Sequence, residues 1–348
     1  MTLDALAFEP QFLDHLAPVW RVLPHSSRGR FLVAPHLVGR ARDKGIEAVP
    51  QERPPHTVLQ PKPNEGYRPA LVASYGDVKE ARRLGYGPFA FLEHGAGQTY
   101  DGENPAMQGH ASYSGGRDRD DNELFLVPNE HAASRWRKAY RNARVEVVGC
   151  PKIDDLPRKD RDGEPVIAVS FHWPAPISIS GYAGNALADY LPALPALAAA
   201  FPGRVIGHAH PKADWPERME RHYRRAGIPF VRDFEEVCRL TDVYVCDNSS
   251  TIFEFAATGR PVVVLNAKVW SRKLSHGLRF WEAAHVGINV NRPEDLIPAI
   301  HDALEDPIDQ QMAREDALRI VYGLRTNGAA AAVTALNNWL AIGQAVAA

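Results

Sequence analysis

Three short stretches carry the residues best suited to chemistry. The first is Phe89-Ala90-Phe91-Leu92-Glu93-His94-Gly95-Ala96-Gly97-Gln98, an apolar run ending in a histidine and a small-residue turn. Histidine titrates near neutrality, so at a strand end it could take a proton from an attacking hydroxyl; a ring satisfied by a turn carbonyl is the plainer alternative. Gly95 and Gly97 leave room for a ligand against the backbone, and Gln98 stands beside them. The second stretch is Gly207-His208-Ala209-His210-Pro211-Lys212. Two histidines two residues apart in extended chain share a side, as a metal would require, but no third ligand stands at a recognisable spacing and none is expected. His210 is expected instead to donate to a phosphate, with His208 and Lys212 as further contacts to the same ligand.

The third stretch runs from Val243 through Asp247-Asn248-Ser249-Ser250-Thr251 to Glu254 and Gly259. It reads as a strand, a polar turn and a helix. Free N–H groups, the helix dipole and the hydroxyls of Ser249, Ser250 and Thr251 would suit the pyrophosphate of a nucleotide, and Glu254, one turn in, could reach a ribose. The plainer alternative is a serine that only caps the helix. His172, closing the run from Val166, stands either in a ligand cleft or in the core. His15 and His36 carry less weight still.

These stretches need strands to present them. Apolar, β-branched runs recur at Phe31–Ala34, Ala70–Ser74, Phe89–Leu92, Leu124–Val127, Val145–Val148, Val166–Ser170, Val205–Gly207, Val243–Val245 and Pro261–Leu265, with helical segments between them. That alternation predicts an α/β protein with parallel sheets. The charged, proline-bearing run Pro151–Pro165 reads as a linker, so two Rossmann-like domains are expected, residues 1–155 and 156–325, each with four or five strands. A terminal helix over 326–348 would fold back towards the first domain. Ligands in such sheets lie beyond the carboxyl ends of the strands, which predicts a cleft between the domains.

Asp101–Asn122 reads as a long loop, and the charges of Arg117–Asp121 as solvated. Ser134–Arg141 reads as a helix whose basic face is exposed and whose Trp136 and Tyr140 pack inward.

The composition narrows the partners. Across 348 residues, 40 Lys and Arg oppose 42 Asp and Glu for a formal charge of −2, which disfavours nucleic acid as the main partner. Three cysteines, Cys150, Cys238 and Cys246, lack disulfide or zinc spacing, and the first residues do not read as a signal peptide. A cytoplasmic protein is expected. The Gly328–Ala348 stretch is too polar to span a membrane.

In order and spacing these motifs resemble the CDP-glycerol glycerophosphotransferase family and, more distantly, the UDP-N-acetylglucosamine 2-epimerases of the same GT-B fold. The resemblance runs from about Leu71 to Leu340. It rests on His94-Gly95, then Gly149-Cys150-Pro151-Lys152-Ile153-Asp154, His210-Pro211, Asp247-Asn248-Ser249-Ser250, and the small-residue opening Asn327-Gly328-Ala329-Ala330 of the last helix. It implies His94 as general base on an acceptor hydroxyl, with His210 and the Ser249–Thr251 turn stabilising the departing nucleotide, and Glu254 aligned with a ribose-binding acid of the epimerases. His94-Gly95-Ala96 stands where the transferases have His-Gly-Thr, and Asn248 replaces an aromatic, which leaves the transferred group open.

The expected function is therefore metal-independent transfer of a glycosyl or glycerophosphoryl group from a CDP- or UDP-linked donor to a hydroxyl acceptor, with no cofactor. A nucleotide-sugar epimerase is the nearest alternative, although no convincing set of carboxylates is visible for it. A non-catalytic nucleotide-binding protein and a glycosyltransferase acting on DNA are the others. A membrane-linked acceptor would call for peripheral membrane contact, through Arg135–Arg141 or the terminal helix.

Overall fold

The computed structural model describes residues 2–55, 68–96, 119–157, 163–174, 185–247, 249–266, 286–323 and 326–347. Described residues of Met1–Gln98, His110–Asp155 and Tyr322–Ala348 form one compact unit, and those of Leu156–Val321 form the other. Each is built on a parallel sheet, giving the α/β architecture of two Rossmann-like units.

The first unit runs β1 (Leu3–Ala7), α1 (Pro10–Val22), β2 (Arg28–Val33), α2 (Val38–Asp43), β3 (Ala48–Pro50), β4 (Ala70–Val72), α3 (Tyr75–Arg83), β5 (Phe89–Leu92), β6 (Asn122–Val127), α4 (Glu130–Ala139) and β7 (Arg144–Val147). Its seven strands lie in the order β3-β2-β1-β4-β5-β6-β7, and the register runs parallel throughout. Seven strands exceed the four or five expected. The additional ones are β1 and β3, whose sequences LDALA and AVP carry too few β-branched residues to announce themselves. β1 nevertheless sits in the interior of the sheet, where pairing on both sides outweighs weak intrinsic preference.

Because the chain goes from β1 to β2 and β3 on one side and then crosses to β4 on the other, the strand order reverses between β1 and β4. A crevice opens beyond the carboxyl ends of the strands at such a reversal. α1 borders it and is fixed in place by Asp14, a buried carboxylate held by Arg40 at 2.8 Å and Lys44 at 3.3 Å. On α4, Trp136 is fully buried, stacks on Phe125 with ring centroids 4.5 Å apart, and donates its indole N–H to Glu93 at 2.7 Å. Tyr140, also buried, follows at the end of this helix, so the inward face expected of Trp136 and Tyr140 is present.

The segment read as a linker starts differently. Pro151–Asp155 is a 3-10 helix that belongs to the first unit, because Asp154 accepts the Ala329 N–H at 2.8 Å and so caps the last helix. Gly328 lies so close to the Val148–Pro151 backbone that an added Cβ would stand 2.9 Å from the Val148 carbonyl oxygen. Leu336 and Trp339 of that helix then join the first unit's core, with the Trp339 indole donating to Glu123 at 2.9 Å.

The second unit comprises β8 (Ile167–Phe171), α5 (Leu187–Tyr190), α6 (Leu194–Ala200), β9 (Val205–Ala209), α7 (Trp215–Arg225), α8 (Phe234–Leu240), β10 (Val243–Cys246), α9 (Thr251–Ala256), β11 (Val262–Leu265), β12 (Ile288–Val290), α10 (Leu296–Glu305) and α11 (Ile308–Val321); the chain then closes with α12 (Gly328–Ala347). The five strands, all parallel, are ordered β12-β11-β10-β8-β9, with the reversal between β8 and β10. α7 is locked to this sheet by Tyr223, whose buried hydroxyl donates towards the carbonyls of Val169 at 2.7 Å and His208 at 2.9 Å. Its ring occupies the space over Gly207, where a Cβ would come within 2.4 Å of it.

Among the described residues, no helix is long and apolar enough to cross a membrane. Gly207→Ala is expected to destabilise the protein by about 1–3 kcal/mol, because the ring it displaces is tied to two strands. Denaturant unfolding measures this, and Tyr223→Leu in the same background should recover part of the loss.

Candidate functional site

In the first unit, the polar residues follow the ends of β4, at the reversal, and of its neighbour β5. Beyond β4, Ser74 caps α3 by accepting the Asp77 N–H at 2.9 Å. Beyond β5 come Glu93, His94 and Gly95. His94 Nδ1 lies 2.8 Å from the Ala73 carbonyl oxygen. A carbonyl can only accept, so the neutral ring carries its proton on Nδ1 and leaves Nε2 as the basic nitrogen. The plainer reading of His94 is therefore present: a turn carbonyl satisfies Nδ1 and so fixes how the ring is oriented.

Gly95 has φ 67°, a left-handed backbone that a side chain would strain, and its N–H donates to His15 Nε2 at 3.2 Å. With Nε2 accepting, the proton of His15 sits on Nδ1, which faces the Cys150 sulfur at 3.7 Å. Burial, and then the positive charge of Lys152 and the neighbouring His94 and Lys44, hold His15 well below the usual histidine range, so it is neutral at pH 7. Its ring stands 5.9 Å from that of His94, and Phe12 meets His94 edge-on at 5.0 Å. His15, given little weight from sequence, is the residue that positions the His94-Gly95 turn. Gly97 and Gln98, expected at the acceptor side, lie outside the described residues.

Two carboxyls of this unit are buried. Glu93, 1% exposed, accepts the Trp136 indole N–H. Asp77, 2% exposed, takes a hydrogen bond from the Phe8 N–H, yet its Oδ2 is buried with no hydrogen-bond partner. Burial pushes its carboxyl up to about 8, and the Arg53 charge opposes that rise only in part. The Ser74-x-x-Asp77 capping pattern was the available sequence signal. Nothing in a capping pattern tells that the carboxyl would be shut away from water.

In the second unit, the reversal between β8 and β10 is built on Asp247, fully buried at the end of β10. Its Oδ1 accepts the His172 N–H at 2.8 Å and its Oδ2 the Ala186 N–H at 2.9 Å. Two separate loops thus hang on one carboxylate, and His172 is set beside the turn that follows β10. The His172 ring donates from Nδ1 to the Trp173 carbonyl at 2.8 Å and meets His210 edge-on, centroids 4.8 Å apart. The structure brings His172 and His210 together.

His208 lies elsewhere: it is 3% exposed, donates from Nδ1 to the Val231 carbonyl at 2.9 Å and packs on Phe234. Pro211 and the half-buried Lys212 follow His210 into the turn before α7.

The hydroxyl turn divides its work. Tyr244, Thr251 and Ser249 form a chain of hydroxyls, 2.9 Å from Tyr244 to Thr251 and 2.8 Å from Thr251 to Ser249. Ser249 also accepts the Thr251 N–H at 3.3 Å, whereas Ser250 occupies the N-cap position of α9 without a capping side-chain bond. Ser249 and Thr251 therefore shape the turn, and Glu254, 2% exposed, is enclosed within α9. Among the described residues, no group of three or more His, Cys, Asp or Glu side chains is placed to hold a metal ion.

No protein-family model and no curated protein matches the sequence. Solved structures do match. Over 97% of this chain and 99% of that one, the fold is similar to UDP-GlcNAc 2-epimerase from Neisseria meningitidis bound to UDP-GlcNAc, with a TM-score of 0.59 at 14% identity. It is similar over 99% of this chain and 89% of that one to a variant of the wall teichoic acid polymerase TagF soaked with CDPG, with a TM-score of 0.64 at 10% identity. The glycotransferase of kitacinnamycin matches over 96% and 98% of the two chains, with a TM-score of 0.54 at 14% identity. The chain shares the GT-B fold of these proteins.

The state of Asp77 has a measurable consequence. With a folded-state value of about 8 against an ordinary 3.8, Asp77 keeps in the folded protein a proton that the unfolded chain releases between those two pH values. Its cost to stability therefore grows as pH rises through that window. Asp77→Asn is expected to raise the melting temperature, with a gain that is near zero at pH 4 and largest at pH 8; calorimetry across that range checks it.

Proposed function

We propose that this chain is a transferase that moves a glycosyl or glycerophosphoryl group from a CDP- or UDP-linked donor to a hydroxyl acceptor. The observation that carries this reading is His94 at the carboxyl edge of its sheet, where the Ala73 carbonyl takes the Nδ1 proton and so makes Nε2 the basic nitrogen. The fold shared with the teichoic acid polymerase and the glycotransferase supports it.

His94 Nε2 takes the proton of the acceptor hydroxyl as that oxygen attacks. In glycosyl transfer, the new bond forms to the anomeric carbon while its bond to the pyrophosphate oxygen breaks and a nucleoside diphosphate leaves. In glycerophosphoryl transfer, the bond forms to the β-phosphorus and a nucleoside monophosphate leaves. His210, His172 and the Ser249–Thr251 turn stabilise the charge on the leaving phosphate by hydrogen bonding, a role that needs no metal.

A nucleotide-sugar epimerase is the second reading. It is supported by the match to the Neisseria meningitidis enzyme and by Asp77 and Glu93, which supply the buried carboxyls that the sequence alone did not reveal. The two readings separate when UDP-GlcNAc is incubated without acceptor and followed by NMR, since only an epimerase turns it over alone.

Thermal unfolding with CDP, UDP, CDP-glycerol and UDP-sugars tests the common premise. A nucleotide at 100 times its dissociation constant should add about 2.7 kcal/mol of stability. That shift is expected without magnesium, to weaken in His210→Ala, and to survive in His94→Ala while turnover falls by about 10²-fold or more. If no nucleotide shifts the protein at millimolar concentration, the premise is wrong.

A further inference from the structure

On the same edge of the second sheet, one polar atom has no structural explanation. Asn266 is the first residue after β11 and is 5% exposed. Its N–H donates to the Val290 carbonyl at 2.8 Å, and the Tyr190 hydroxyl bridges its own carbonyl, at 3.1 Å, and that of Val290, at 2.8 Å. Its side-chain Nδ2 donates to Asn291 Oδ1 at 2.8 Å. Backbone and amide orientation are thus held from three directions. The remaining atom, Oδ1, is buried and accepts no hydrogen bond.

The strand register says which edge Asn266 occupies. Cys246 of β10 pairs with Val264 of β11, so Asn266 leaves the carboxyl end of β11 on the edge where β10 leads through Asp247 towards the Ser249–Thr251 turn. Neighbouring strands are about 4.8 Å apart, within reach of a group attached to a phosphate at that turn. A buried carbonyl oxygen left unpaired is costly, and its natural complement is an O–H or N–H donor. A phosphate or carboxylate at this point would be repelled by the oxygen. A neutral hydroxyl meets its requirement.

We propose that Asn266 Oδ1 accepts a hydrogen bond from a hydroxyl of the group carried by the donor, and that this contact distinguishes a nucleotide linked to a neutral polyol, a sugar or glycerol, from the bare nucleotide. Asn291 is the positioning residue, since it fixes which end of the amide faces the ligand. The inference rests on the nucleotide-donor reading above and adds the chemical class of the transferred group.

Calorimetric titration of wild type, Asn266→Leu and Asn291→Leu with CDP, UDP, CDP-glycerol and UDP-GlcNAc tests it. In wild type, one linked donor is expected to bind more tightly than its own bare nucleotide. Asn266→Leu should weaken that donor about tenfold while leaving the bare nucleotide within about twofold, as expected for one buried hydrogen bond. Asn291→Leu should show the same pattern more weakly. Because the leucine removes an unpaired buried polar atom, the melting temperature of the unliganded variant should hold or rise; if the variant does not fold, Asn266→Ser takes its place.

Equal binding of linked and bare nucleotides by wild type overturns the inference. So does an Asn266 variant that keeps full affinity for the linked donor, or loses both ligands alike. Binding of none of the four ligands by wild type overturns the donor reading itself, which is a different result from loss of discrimination.

Discussion

Asp247 is the point on which the carboxyl edge of the second unit's sheet depends. A parallel sheet satisfies its backbone internally but leaves the loops beyond its strand ends to find other partners. At the reversal between β8 and β10, one fully buried carboxylate accepts an N–H from each of two such loops, at His172 and Ala186. Backbone N–H groups are the donors that satisfy a carboxylate out of water, so the arrangement is self-consistent: the loops satisfy the acid, and the acid sets the loops.

The first unit solves the same problem with neutral groups. The Ala73 carbonyl fixes the tautomer of His94, and a histidine kept uncharged by burial accepts the Gly95 N–H. Behind them the fold is tied by contacts that bring distant motifs together. Asp154 closes one motif and caps α12, which another motif opens, and Gly328 permits the close approach. Motifs whose order alone suggested a resemblance turn out to fit each other physically.

Much of the architecture was legible. The nine apolar runs each overlap a strand, because apolar content, branching and flanking turn formers agreed there. β1, β3 and β12 were not legible, since LDALA, AVP and INV are short or poor in branched residues and exist as strands through their neighbours. His94, His172, His210 and the Ser249–Thr251 turn stood out as reactive side chains after strands. His15, Asp77 and Asn266 did not, because nothing local distinguishes a buried histidine, carboxylate or amide from an exposed one.

The sequence by itself determined the fold class and the strand ends that carry the polar turns, because both follow from periodicity and from residues adjacent in the chain. Only the tertiary structure decided which polar atoms are shut away from water and which partners meet there. Along the chain His15 and Gly95 are separated by four strands, β2 to β5, and Phe8 and Asp77 by three, β2 to β4. A titration or a tautomer depends on that enclosure. His208 and His210 show the difference plainly: two identical side chains, two residues apart, of which one is buried against Phe234 and the other is turned towards His172.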